Sequence, residues 1–225
     1  INNKYLSDNY ESFKEWFYHK PSKDEKEIPI QTIDSNTTPQ ELIEISYKKI
    51  NDKLSEEILE VIKNCSPDSK FFQPLSSNIF GTSSKKKQNE KEIFSPLSIY
   101  ALGKVTAYYA CQMYREIYGL KVYGAIFYNH ESEIRPEEYV TRKITKAVAR
   151  IYYGKQKKLY LGDIRAKIDW GYAKDYVKAA YKIMQLSNPD IFIIASGKSY
   201  SVEYFAKKCF QYVGLNYKNY FQQIL

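Results

Sequence analysis

Across the last two thirds of this chain, short apolar runs alternate with amphipathic segments of ten residues or more, and this alternation constrains the fold more than any other feature. Lys121-Val-Tyr-Gly-Ala-Ile-Phe-Tyr-Asn129 and Asp190-Ile-Phe-Ile-Ile-Ala195 read as strands. Apolar residues at spacings of three and four predict helices over about 96–118, 137–153, 173–185 and 202–213. Two strands separated by a long helix cannot pair as a hairpin. They need a crossover, which makes the sheet parallel and the architecture a layered α/β one.

Upstream, Thr38-Pro39-Gln40-Glu41 forms a capping box with proline at the first helical position. Ile43, Tyr47, Ile50, Leu54, Ile58 and Val61 then extend the pattern, predicting a helix over 39–63. Phe71-Phe-Gln-Pro-Leu-Ser76 reads as a short strand, although Pro74 has no N–H for a sheet ladder. Lys85 to Lys91 reads as a solvated loop. Near the start, Ser7 to Phe17 carries aromatic residues at helical spacing, and Lys20 to Glu27 is polar. A short helix that docks on another surface and an ordinary helix on its own core fit that segment equally. The expected organisation is an extension over 1–36, one α/β region over 37–130 and a second over 131–225.

The composition, 44% hydrophobic over 225 residues, suits a soluble globular fold with one core or two small lobes. No apolar run approaches the roughly 20 residues of a membrane-spanning helix. Cys65, Cys111 and Cys209 stand far apart, with no C-x-x-C pair and two histidines, so neither a disulfide framework nor a metal site is expected. A reducing compartment, cytoplasm or mitochondrial matrix, fits best. Because the chain starts at Ile1 rather than Met, a segment upstream is expected. Charge is uneven: residues 1–80 hold 10 Lys/Arg against 14 Asp/Glu, and residues 81–225 hold 24 against 12. A basic surface suits several anionic partners, but no nucleic-acid motif accompanies it.

Ser95-Pro-Leu-Ser-Ile-Tyr-Ala-Leu-Gly-Lys104 places a tyrosine and a lysine on one face at the opening of a helix. An ammonium beside a phenol suits proton transfer during hydride chemistry on an alcohol or ketone. The spacing alone is weak evidence, since Tyr153 and Lys157 repeat it.

The wider sequence is more specific. Gln73-Pro-Leu-Ser-Ser-Asn-Ile-Phe-Gly81, the segment around Tyr100, Asn129-His-Glu-Ser132, Val140-Thr-Arg-Lys-Ile144, Asp169-Trp-Gly171 and Ile194-Ala-Ser-Gly197 together resemble the GDP-mannose 4,6-dehydratase family. This is a branch of the extended short-chain dehydrogenase/reductase superfamily, and the likeness runs over about 70–220. The resemblance implies a Rossmann-like parallel sheet with a small α/β sugar-nucleotide lobe. It also implies catalytic roles for Tyr100, Lys104 and Ser76, and substrate contacts from Asn129, Arg142 and Lys143. Tyr100 and Lys104 would grip the nicotinamide ribose.

Departures from the family pattern accompany these matches. Asn78 stands where the family's proton-shuttling glutamate is expected, Ile168 where an arginine holds phosphate, and Tyr172 where a histidine is usual. No glycine precedes Gly81, so the glycine-rich first βαβ unit of a dinucleotide fold is missing from the sequence. Arg142, Lys146 and Arg150 form a cationic stripe that reads more readily as a solvated helix face than as a ligand site.

These departures favour a catalytically impaired dehydratase-like protein with no cofactor, acting as a structural or accessory subunit among other protein subunits. The alternative is an active, NADP-dependent GDP-mannose 4,6-dehydratase or a fragment of one. Self-association through the helix over 96–118 fits either reading, and nucleic acid is not an expected partner.

Overall fold

The computed structural model describes residues 52–82 and 87–224. The aromatic segment near the start, the linker after it and the capping box at Thr38 lie outside the described residues. Helix α1 spans Asp52–Cys65 and covers the later part of the helix expected over 39–63. Strand β1, Lys70–Ser76, follows, then a 3-10 turn over Ser77–Phe80 and helix α2, Ile99–Tyr118. Strand β2, Lys121–Phe127, lies parallel to β1 over its full length, from Lys70 opposite Lys121 to Ser76 opposite Phe127. Strand β6, Ile191–Ile194, flanks β2 on the other side, also parallel, giving the order β1-β2-β6.

Central position explains the sequence of β2. It is buried on both faces, so its residues are almost all apolar instead of alternating with polar ones. Val122 and Ile126 face a core shared with Leu59 of α1 and Ala107, Cys111 and Tyr114 of α2. Tyr123 and Ala125 face the opposite way, toward Ile183 of helix α4, Ala173–Ile183. The result is helices on both faces of a parallel sheet. Gly124 sits close between these neighbours: a Cβ there would lie 3.1 Å from Ile191 and 3.2 Å from the Gln73 carbonyl, tighter than most such contacts. Pro74 is tolerated because β1 is an edge strand among the described residues.

Between β2 and β6 the chain builds a second region. Tyr128 is the junction: its N–H donates to the Ile194 carbonyl at 3.0 Å, and the next residues leave for another sheet as β3, Asn129–Glu131. The strand expected over 121–129 is therefore two strands. Strand β3 pairs in parallel with β5, Lys167–Tyr172, and β5 pairs antiparallel with β7, Ser199–Ser201. Helix α3, Val140–Tyr152, buries Ile144, Ala147, Val148 and Ile151, one stripe at helical spacing. They pack with Val202, Ala206 and Phe210 of helix α5, Val202–Tyr212, and with Leu159 and Leu161. Those leucines lie on strand β4, Leu159–Leu161, which pairs in parallel with β8, Phe221–Gln223, after the short helix α6, Tyr217–Tyr220.

Helices start later than their periodicity suggests where a capping side chain decides the boundary. Helix α2 begins at Ile99, not near Pro96, because the Ser98 hydroxyl accepts the Ala101 N–H at 3.1 Å. No helix among the described residues is long and apolar enough to cross a membrane.

The cysteines make a test of this core. Cys111 is buried on α2, where desolvation pushes its thiol up to about 12, and desolvation pushes Cys209 up to about 11. Cys65 is exposed. Thiolate is the reactive form. Titration of the native protein with a chromogenic disulfide at pH 8 is expected to release one equivalent rapidly, and the other two only after denaturant is added.

Candidate active-site cleft

The sheet's geometry decides where chemistry can sit. In open parallel sheets the cleft lies beyond the carboxyl ends of the strands, and β1 and β2 end level with one another at Ser76 and Phe127. After β1 the chain turns sharply: the Ser76 hydroxyl accepts the Asn78 N–H at 3.3 Å, and buried Ile79 and Phe80 anchor the 3-10 turn in the core. Gly81 closes the turn at φ +58°, where a Cβ would stand 1.9 Å from the Ser95 carbonyl oxygen. Only glycine fits there. The turn thereby holds Ser77 and Asn78 at the lip of a cleft of about 530 Å³.

The other walls come from Ser98 before α2, from Tyr128 and Asn129 after β2, and from Lys167, Ile168 and Asp169 of β5. Tyr100 sits in the first turn of α2 and is 55% exposed. The Lys104 ammonium lies 5.7 Å from the Tyr100 ring centre and donates to the Pro74 carbonyl at 3.1 Å. Tyr100 thus lies two residues and Lys104 six residues beyond cleft-lining Ser98, and the bond to Pro74 brings the Lys104 ammonium near the end of β1.

Not every candidate joins them. Asn129 lines the cleft, whereas Arg142 lines a separate depression with Arg135 and Glu137, and Lys143 a third with Arg150 and Gln156. On the α3 stripe, Lys146 ion-pairs with Glu137, whose other oxygen lies 3.7 Å from Arg150. Tyr172 is exposed at the start of α4. Ile168 packs on the second core as well as bordering the cleft.

Asp169 has a role that reading the sequence did not find. It is 8% exposed, and its two oxygens accept the N–H groups of Ser196 at 2.9 Å and Gly197 at 2.8 Å. The carboxylate therefore ties β5 to the turn that follows β6. Its charge is felt nearby: burial first, and Asp169 second, raise the Tyr128 phenol, and the same two causes push Tyr176 up to about 12. Both phenols stay protonated at neutral pH. The Tyr128 hydroxyl donates to Gln88 at 2.5 Å on the cleft's edge. Gly171 leaves room for Tyr176, whose ring carbon would come within 2.2 Å of a Cβ.

A layered parallel sheet, a cleft at its strand ends and a Tyr-x-x-x-Lys pair on the helix between two of its strands define an extended short-chain dehydrogenase/reductase fold. The solved RMD protein of Pseudomonas aeruginosa, complexed with NADPH, superposes with a TM-score of 0.73 at 19% identity, over 85% of this chain and 66% of that one. In sequence, residues 48–224 match the model of GDP-mannose 4,6 dehydratase. GDP-mannose 4,6 dehydratase 2 of Arabidopsis thaliana is 42% identical over 167 residues, 72% of this chain and 44% of the relative. The Dictyostelium discoideum GDP-mannose 4,6 dehydratase is 35% identical over 202 residues, 83% of this chain and 57% of the relative. The chain belongs to the GDP-mannose 4,6 dehydratase family. It spans about half the length of these curated relatives.

The Asp169 tie predicts a stability effect. Asp169→Ala leaves two backbone N–H groups without acceptors and is expected to cost about 1–3 kcal/mol. A fall in the urea midpoint at unchanged slope is the measurement.

Proposed function

We propose that this chain is the substrate-side portion of a GDP-mannose 4,6-dehydratase, an NADP-dependent lyase. One observation carries the reading: Lys104, on the same helix face as Tyr100, bonds to the Pro74 carbonyl near the end of β1, where Ser76 precedes a polar cleft bordered by Asn78 and Asn129. Membership of the family, and a structural relative solved with NADPH, support it.

In this reading Tyr100 takes the proton from the sugar's C4 hydroxyl, and Ser76 holds that hydroxyl by hydrogen bonding. Lys104, steadied on the Pro74 carbonyl, orients Tyr100 and the nicotinamide ribose. NADP, when bound, supplies the hydride acceptor. The described residues fit its ribose end: an accessible phenol and an ammonium lie together at the strand ends. The pyrophosphate end of such a cofactor needs a glycine turn at a helix N-terminus, and residues 1–80 contain no glycine. That end would require chain outside this sequence.

A second reading, an accessory subunit that no longer dehydrates, is favoured by Asn78. This side chain borders the cleft two residues beyond Ser76, and an amide cannot take the C5 proton whose loss commits the sugar to elimination. A positioned base contributes roughly 10²–10⁴ in rate. Exposed Tyr109, Met113 and Ile117 on α2, four residues apart, offer a face for self-association or for another subunit in either reading.

Assay with GDP-mannose and NADP of the chain joined to the glycine-turn portion of a family relative, which supplies the cofactor's pyrophosphate end, distinguishes the two. Asn78→Glu is expected to raise formation of the 4-keto-6-deoxy sugar by about 10²–10⁴ over the wild-type chain. Product from the wild-type chain at a rate that Asn78→Glu does not improve would remove the accessory reading.

A further inference from the structure

We propose that the turn between α3 and β4, with the basic surface around it, binds single-stranded nucleic acid. Residues 139–162 hold seven Lys/Arg and no Asp/Glu, and residues 204–224 hold three and none. Along the sequence the two stretches lie apart, separated by residues 163–203, and no nucleic-acid motif joins them. The fold packs them together. Ile144, Ala147, Val148 and Ile151 of α3 share a core with Ala206 and Phe210 of α5, and Leu159 of β4 lies opposite Phe221 of β8. The Lys158 ammonium donates to the Asn219 carbonyl at 2.9 Å. Carboxylates at the margin of this unit are engaged locally: Glu137 pairs with Lys146 and lies 3.7 Å from Arg150, Glu203 holds Lys207 at 2.7 Å, and Asp163 holds Arg165 at 3.0 Å. Lys143, Lys155, Lys157, Lys208 and Lys218 are exposed and form no ion pair among the described residues. A field of one sign over a surface draws in polyanions.

The aromatic residues decide which polyanion fits. Large apolar side chains exposed over 139–162 are Tyr139, Tyr152, Tyr153 and Tyr160, with no aliphatic one among them. Tyr152 and Tyr153 meet edge to face at the end of α3, 5.2 Å between ring centres. Gly154, at φ +67°, then turns the chain, so that exposed Lys155 and Lys157 follow the two rings directly. A ring beside ammonium groups matches a base beside its phosphates: stacking accepts any base, and lysines on flexible stems follow the backbone. A protein partner fits less well, because protein interfaces are depleted in lysine and gather around an apolar centre. The proposal is independent of the nucleotide-sugar reading, since Tyr152, Tyr153, Lys155 and Lys157 are not among the residues that line the cleft.

The test is fluorescence anisotropy of the full chain with two labelled probes, an oligouridylate of about 16 nucleotides and polyglutamate of matched charge. The variants are the pair Lys155→Gln with Lys157→Gln, the single changes Tyr153→Ala and Tyr153→Phe, and a control pair on α4, Lys174→Gln with Lys182→Gln. All five positions are exposed, so the variants address binding and not folding. Each phosphate contact of a single strand contributes about 0.7 to the slope of log K against log salt, so the Lys155 and Lys157 pair is expected to flatten that slope by about 1.4. The α4 pair should leave it unchanged. At fixed salt, Tyr153→Ala is expected to weaken oligouridylate binding about fivefold or more, as one stacked base is lost, and Tyr153→Phe to stay within about twofold of wild type. Polyglutamate should bind more weakly and respond to neither tyrosine variant. Oligouridylate that fails to bind at low salt overturns the proposal, as do equal slope changes in the two lysine pairs. Polyglutamate bound as tightly as oligouridylate, with Tyr153→Ala neutral for both, also overturns it and assigns the surface to an acidic protein.

Discussion

The parallel pairing of β1 with β2 is the constraint on which the rest depends. Its register sets Ser76 beside Phe127, so that both strands end in one plane, and every polar group of the cleft is placed relative to that plane. A slip of one residue would exchange the faces of a strand that is buried on both sides. Val122 and Ile126 fill the core under α1 and α2, whereas Tyr123 and Ala125 fill the one under α4, and neither pair suits the other's neighbours. Gly124 is consistent with this register, since a Cβ at that position would crowd both Ile191 and the Gln73 carbonyl. The hydrophobic effect thus fixes the catalytic geometry at one remove, through a strand that carries no catalytic residue.

Much of the architecture was legible in the sequence because helices and buried strands have periods. The four helices from α2 to α5 and the strands β1, β2 and β6 follow from spacing alone. Short strands do not: β3, β4, β7 and β8 have three residues each, fewer than any periodicity needs to declare itself. They exist because tertiary neighbours supply hydrogen-bond partners, as Trp170 does for Asn129. Boundaries were read too generously for a related reason. Two serines precede α2, and spacing cannot say that Ser98, not Ser95, is the cap.

The site divides along the same line. Tyr100 with Lys104, and Ser76 with Asn78, are close in sequence, so their adjacency could be read directly. Asp169 reaches N–H groups 27 and 28 residues further on, and nothing local announces that bond. The separation of Arg142 and Lys143 from the cleft was equally invisible. Both occupy the first turn of α3, and Glu137, just ahead of the helix, lines both of the depressions they border. Departures such as Asn78 and Ile168 stand out against the family pattern, but their meaning differs in space. Asn78 borders the cleft with a polar group, while Ile168 has become part of a hydrophobic core.

Tyr128 carries a mechanical consequence. One residue separates the strand that ends in the first sheet from the strand that opens the second, and its amide is bonded back to Ile194 while its hydroxyl reaches Gln88. The two sheets are thus coupled through this pinned pivot, beside the Asp169 tie from β5 to the turn after β6. Torque applied by a ligand to β3 would pass to the end of β2 with little slack, so that the wall carrying Asn129 and the wall carrying Asn78 behave as the jaws of a stiff clamp.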